Sequence, residues 1–269
     1  MSDLADTDSS TFMLGGVMPV HRVGYGAMRL TGQPGNFGPY ADWEEGKRLL
    51  RRAVELGVNF IDTALASGPR WNEKLIAEAL HPYRDGLVVA TKGGIDKLSP
   101  TQMVRDASPA TLKAQIDQAL VTLQTDRIDL FQLHWIDEKT PIEDSVRAMD
   151  DARRAGKIRL IGLCNVSADE FERARAVAPI ASVQNRYNIV EREHDGLVDL
   201  TARVGTAFIP YGPLGAHPMK KGAPLAQGAA TGHRTPAQTA LRQLLDRSPN
   251  IVVIPGTTSL AHLEENIAA

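Results

Sequence analysis

Eight short apolar runs alternate with helix-patterned segments along this chain, and that alternation limits its fold more than any other feature. The runs lie at 21–26, 58–62, 87–91, 128–134, 158–163, 181–185, 206–211 and 251–256. Such Val-, Ile-, Leu- and Phe-rich runs fit parallel strands covered on both faces. Between them the helix punctuation is plain. Residues 44–57 put Leu49, Leu50, Ala53 and Val54 on one stripe and stop at Gly57, suited to a left-handed C′ position. Ser108 and Pro109 read as an N-cap and an N1 proline. The spacings 140–143, 167–170 and 235–238 match capping boxes, and Gly156 closes the helix begun by the first of them.

A strand–helix alternation repeated eight times without a break in composition predicts an α/β fold, a single (β/α)8 TIM barrel over residues 1–269. The competing doubly wound sheet lacks its mark, because "GYGAMRL" after the first run has no third glycine. Gly15 and Gly16 suit the turn of a short N-terminal hairpin, and the acidic residues 1–13 read as a loose leader. Residues 215–233 form a long Gly-, Ala- and Pro-rich connection, either a lid or an unordered loop.

Composition removes several function classes. Cys164 is the only cysteine, so there is no internal disulfide and no multi-cysteine metal site, as in a reducing compartment. A net charge of −2 gives no attraction to nucleic acid or to an anionic membrane. No apolar run approaches the roughly 18 residues of a membrane span, and the polar N-terminus is unlike a secretory leader. The expectation is a cytoplasmic protein acting on a small-molecule substrate, its oligomeric state left open.

Barrel enzymes work at the C-terminal ends of their strands. Here those ends carry Tyr25 and Met28, Asp62, Lys92, His134, Asn165, Gln184 and Asn185, Tyr211, and the 255–259 loop. A carboxylate beside a lysine stabilises the ammonium, which argues against a Schiff-base role for Lys92. His134 can hydrogen-bond or shuttle a proton. The plainer alternative is an ion pair that merely closes the barrel top. With no third ligand evident beside Asp62 and His134, no metal site is expected. Ser259 suits the N-cap of the last helix, where barrels often hold phosphate.

These residues sit in a familiar order. "NFIDTA", "VATKGG", "FQLHW", "GKIRLIGLCN", "SVQNRYN", "IPYGPLG" and "IPGTTSLAHLEEN" resemble the aldo-keto reductases from about Val23 to Asn266. The resemblance implies a (β/α)8 barrel with an N-terminal hairpin that binds NADP(H) across its mouth. Asn165 and Gln184 match the ligands of the nicotinamide carboxamide, and Tyr211 the aromatic that stacks on its ring. Tyr211, Gly212, Pro213 and Leu214 match the pyrophosphate side, with Met28 and Ile254 adjoining. Gly256, Thr257, Thr258, Ser259, His262, Glu265 and Asn266 match the adenosine side. Tyr25, Trp71 and Trp135 are expected to wall the substrate pocket.

The departures are informative. The family's catalytic tetrad is Asp, Tyr, Lys and His, with the tyrosine as general acid in D-T-A-x-x-Y-G. This chain reads Asp62-Thr-Ala-Leu-Ala-Ser67-Gly68, so its tetrad positions are Asp62, Ser67, Lys92 and His134. A serine hydroxyl is a far weaker acid than a phenol, and losing a general acid costs on the order of 10²–10⁴ in rate. His262 stands where an arginine usually meets the 2′-phosphate, so NAD(H) is not excluded. The expected function is an NAD(P)H-dependent oxidoreductase with an atypical site, suited to a C=N or pre-activated C=O substrate. The alternatives are a non-redox enzyme on the same scaffold, a silent cofactor-binding barrel, or a chain whose tyrosine was removed deliberately.

Overall fold

The computed structural model describes residues 10–215 and 234–269. Strands β1 (Thr11–Leu14) and β2 (Met18–His21) form an antiparallel hairpin turning through Gly15 and Gly16, both at positive φ. The expected leader therefore ends sooner than residue 13: Thr11 to Met13 already pair with Pro19 to His21. The expected 215–233 lid falls almost wholly outside the described residues.

The parallel sheet runs in the order β11 (Ala207–Phe208), β10 (Ser182–Gln184), β9 (Ile158–Cys164), β8 (Ile128–Leu133), β5 (Val88–Gly93), β4 (Phe60–Asp62), β3 (Tyr25–Gly26). Residues 251–253 complete the ring through parallel bridges, Ile251 to Phe208 and Val253 to Val23. A helix follows each of the eight strand positions: α1 (Trp43–Glu55), α2 (Trp71–Leu80), α3 (Pro109–Leu123), α4 (Ile142–Arg154), α5 (Ala168–Arg175), α6 (Asp195–Arg203), α7 (Pro236–Arg247) and α8 (Leu260–Ile267). The capping signals at Ser108, Ser167, Thr235 and Ser259 hold. The box at 140–143 does not form. Thr140 gives its hydroxyl and its N–H to the Asp137 carboxylate, and Pro141 takes the N-cap position without a side-chain bond.

Side-chain alternation divides the barrel interior into layers. Phe60, Val88, Ala90, Leu130 and Val252 pack with Leu14, Met18 and Val20 of the hairpin, so the hairpin seals the lower end. One pleat further toward the strand ends, the inward set turns polar: Asp62, Lys92 and Gln132, joined by Cys164 of β9 and Gln184 of β10. The larger apolar cluster lies between the sheet's outer face and the helices. An additional hairpin, β6 (Ile95–Lys97) with β7 (Met103–Arg105), precedes α3.

Candidate active site

The centre of the polar layer is a buried ion pair. Lys92 Nζ donates to Asp62 Oδ2 at 2.5 Å and to Thr63 O at 2.7 Å. The two side chains are 5% and 7% exposed. A pair this buried is tolerable only when its other lone pairs are met, and here they are. Asp62 Oδ1 accepts from Gln132 Nε2 at 3.1 Å and Gln184 Nε2 at 2.9 Å. Gln132 is itself fixed, its Oε1 accepting from Ser182 Oγ at 3.3 Å and lying 3.8 Å from Cys164 Sγ. Gly162 leaves the room for this: an added Cβ would come within 2.8 Å of Gln132 Cγ. An ammonium has three protons; two are committed to Asp62 and Thr63.

His134 follows the end of β8 and is tied in through its backbone, its N–H donating to Gly93 O at 2.7 Å. Burial, and then the Lys92 charge, lower its imidazole to about 3, so the ring is neutral near neutral pH. Its Nδ1 is sealed from solvent without a partner among the described residues. Asn165 adopts φ 55° at the end of β9, a left-handed conformation that asparagine tolerates. From there its Nδ2 donates to His134 O at 3.0 Å, and its Oδ1 accepts from Tyr211 Oη at 2.9 Å. Tyr211 is half-buried and held upright by that bond.

Ser67 lies in the Ala64–Gly68 turn that leaves β4, and it is 6% exposed. The 31–40 loop straps this turn down: Gly68 N–H donates to Asn36 O and Gly38 N–H to Gly68 O. Lys97 reinforces the strap by donating to Gly35 O and Asn36 O. Asp62, Lys92, His134, Asn165, Gln184 and Tyr211 are thus brought together, with Ser67 on the adjoining turn.

Of the three expected pocket walls, Tyr25 faces no open space, and Trp71 and Trp135 each pack on a cation. Tyr25 is wholly buried and donates to Thr257 O at 2.6 Å; burial pushes its phenol far above the ordinary range. Its hydroxyl fastens the 255–259 loop. Trp71 begins α2 in the outer helical layer, edge-on to Trp43 at 6.0 Å, with Lys74 Nζ 4.5 Å above its ring. Trp135 stays beside His134, its ring stacked 4.0 Å from the Arg105 guanidinium of β7. Met28 is exposed on a short 3-10 turn after β3, and Ile254 is buried. At the α8 end, Thr258 and His262 are exposed, Thr257 and Asn266 are buried, and Ser259 caps His262 N–H.

Gln132 was not among the residues expected at the site. Its signal was available, since it stands two residues before His134 and so shares its face. A cavity of about 550 Å³ opens at the opposite end, among Tyr83, Arg84, Asp126, Arg127 and Asp129. In barrels that end serves stability. Among the described residues no three His, Cys, Asp or Glu side chains gather as a metal site needs, and no helix is long and apolar enough to cross a membrane.

Fold and site together define a (β/α)8 barrel with a buried Asp–Lys pair at its catalytic end. The sequence profile described as "Aldo/keto reductase family" matches residues 22–223. The pyridoxine 4-dehydrogenase of Escherichia coli is 41% identical over 97% of this chain and 93% of its own length. A thermostable aldo-keto reductase solved with the inhibitor epalrestat is 28% identical, with a TM-score of 0.78 over 96% of this chain and 93% of that one. An aldo/keto reductase from Klebsiella pneumoniae, solved with NADP and acetate, is 24% identical with a TM-score of 0.80 over 96% of this chain and 89% of that one. The chain belongs to the aldo/keto reductase family, and it is therefore an oxidoreductase by descent.

Proposed function

We propose that this chain is an NADP(H)-dependent oxidoreductase whose atypical site handles a C=N bond or a pre-activated carbonyl in preference to simple ketones. The observation that carries the reading is that, among the described residues, no adequate acid adjoins Lys92. Ser67 occupies the turn where the resemblance expects a phenol, and His134, at about 3, holds no proton to give as an imidazolium. An iminium carbon is already cationic and accepts hydride without protonation.

The residues fit the cofactor. Gln184 spends its Nε2 on Asp62, which leaves its Oε1 to accept from a carboxamide NH₂. Tyr211 offers a braced ring for stacking, and Gly212, Pro213 and Leu214 continue toward the pyrophosphate. The first N–H groups of α8 lie at exposed Leu260 and Ala261, as an anion requires. Glu265 and Asn266 close the adenosine end with Gly256, Thr257, Thr258 and His262. Residues 256–266 themselves hold no arginine, although the Arg29 side chain lies beside Gly256, so α8 adds no arginine that would discriminate against NAD(H). When bound, the cofactor supplies hydride; the chain's part is to orient the acceptor and hold charge near Lys92. The name of the Escherichia coli relative favours a small aromatic alcohol–aldehyde couple as substrate.

Stopped-flow loss of NADPH absorbance tests the reading. Cyclic imines are expected to be reduced well and unactivated ketones at least roughly 10²-fold more slowly. Efficient turnover of simple ketones would sink it.

A further inference from the structure

We infer that the site takes aromatic carbonyl compounds bearing a hydroxyl ortho to the carbonyl, and that this substrate hydroxyl, seated by Lys92 beside the short Ser67 side chain, is the proton donor. The inference deepens the proposed function and rests on it.

Five observations converge. Lys92 has two of its three protons fixed on Asp62 Oδ2 and Thr63 O, and it is too buried to swing to solvent. Its remaining proton is available to an oxygen at the mouth. Ser67 carries nothing beyond Oγ, so position 67 itself brings no ring. Tyr25, the other strand-end phenol in this part of the barrel, is spent on Thr257 O. His134 is neutral, with Nδ1 unpartnered. Trp135 follows it in the chain; the Arg105 guanidinium covers one face of its ring, so an aryl group would meet its edge or its other face.

An ortho hydroxyl meets each need. It lies in a six-membered hydrogen-bonded ring with the carbonyl oxygen, and such intramolecular placement is worth a large effective concentration. It is a phenol, the acid type that the chain lacks, and a lysine ammonium stabilises its anion. In the step, the carbonyl carbon gains hydride from the reduced nicotinamide and the C=O π pair moves onto oxygen. That oxygen takes the ortho proton, and the aryl oxide left behind pairs with Lys92 until solvent reprotonates it. The sum is aldehyde, reduced nicotinamide and one proton giving alcohol and oxidised nicotinamide.

The test compares kcat/KM for 2-hydroxybenzaldehyde, 2-methoxybenzaldehyde and benzaldehyde with NADPH, each normalised to its rate with borohydride. The hydroxy compound should lead both others by about 10²-fold or more. In Ser67→Tyr, benzaldehyde should rise and the lead should shrink to within about threefold. A second readout needs no turnover: the phenol of 2-hydroxyacetophenone, followed by phenolate absorbance on the cofactor-free protein. Its ionisation midpoint should fall by about one pH unit or more on the wild type, and stay put with Lys92→Met. Equal normalised rates and an unmoved midpoint, with cyclic imines still reduced, overturn this inference alone; failure on imines as well overturns the proposed function too. A lysine adduct trapped by cyanoborohydride would also overturn it. Should Lys92→Met not fold, the wild-type midpoint and the substrate series decide.

Discussion

Glu73 is a carboxyl with no exposed surface, set on α2 between Thr91 of β5 and Thr122 of α3. Its oxygens lie 2.5 Å from Thr91 Oγ1 and 2.6 Å from Thr122 Oγ1. Thr122 Oγ1 is also 3.0 Å from Gln118 O, and a hydroxyl has one proton to give. If that proton goes to the helix carbonyl, Glu73 must carry its own proton and donate to Thr122. Burial, only partly offset by the two threonines and Arg70, lifts this carboxyl from 4.5 to about 7. The sign follows from linkage. Between those values the folded chain keeps a proton that the unfolded chain has lost, so stability falls as pH rises through the window. At about 1.4 kcal/mol per pH unit, the gap amounts to ~3 kcal/mol. Glu73→Gln keeps the volume, can donate to Thr122 and accept from Thr91, and cannot ionise. Urea unfolding of both proteins from pH 5 to pH 8 isolates the effect, because the remaining titrating groups are common to both. The variant's stability relative to wild type should climb by ~2–3 kcal/mol across that range. A difference constant to within ~0.5 kcal/mol would refute the assignment of a neutral buried acid.

Other perturbations follow from the same geometry. Asp62→Asn leaves Lys92 buried without its counter-charge and should cost about 3–5 kcal/mol in urea unfolding; a loss below ~1 kcal/mol would mean the ammonium finds other support. Tyr25→Phe removes the bond to Thr257 O and should raise KM for NADPH about threefold with kcat unchanged, whereas a collapse of kcat would make Tyr25 part of the chemistry. His134 is held below its ordinary range, so the unfolded chain binds its proton first and stability should be lost as pH falls from about 6.5 toward 3. Imidazole NMR shifts of His134 that titrate near neutral pH would contradict this. His262→Arg places a cation on the exposed first turn of α8 and should lower KM for NADPH, but not for NADH, by about tenfold.

The barrel was legible in the sequence because burial on both faces writes itself as continuous apolar runs. The lengths of the strands were not. The run at 21–26 contributes only Tyr25–Gly26 to the parallel sheet's ladder, and the run at 251–256 pairs through single bridges. Closure of the ring, not hydrophobicity, sets where those ladders stop. The β6–β7 hairpin left no apolar period, since Met103, Val104 and Arg105 are all exposed. It is held by distant partners instead, through Lys97 on the 35–36 carbonyls and Arg105 on Trp135. Thr140 shows the converse: its local capping pattern was present, but Asp137 offered a competing acceptor closer in the turn.

At the site, strand ends could be counted from the sequence, and counting alone found Asp62, Lys92, His134, Asn165, Gln184 and Tyr211. Counting does not say what each end faces. Tyr25 ends a strand as Asp62 does, yet its ring turns under the 255–259 loop because Thr257 O gives its hydroxyl a buried acceptor. Gln132 ends nothing and reads as a polar flaw in an apolar strand. It becomes essential only when β4 and β9 close beside β8, so that one amide spans Asp62 Oδ1, Ser182 Oγ and Cys164 Sγ. A buried Asp–Lys pair needs such satisfied neighbours to remain charged. The support of the pair therefore comes from a glutamine on a strand 70 residues away, which is why the pair was visible in the sequence and its support was not.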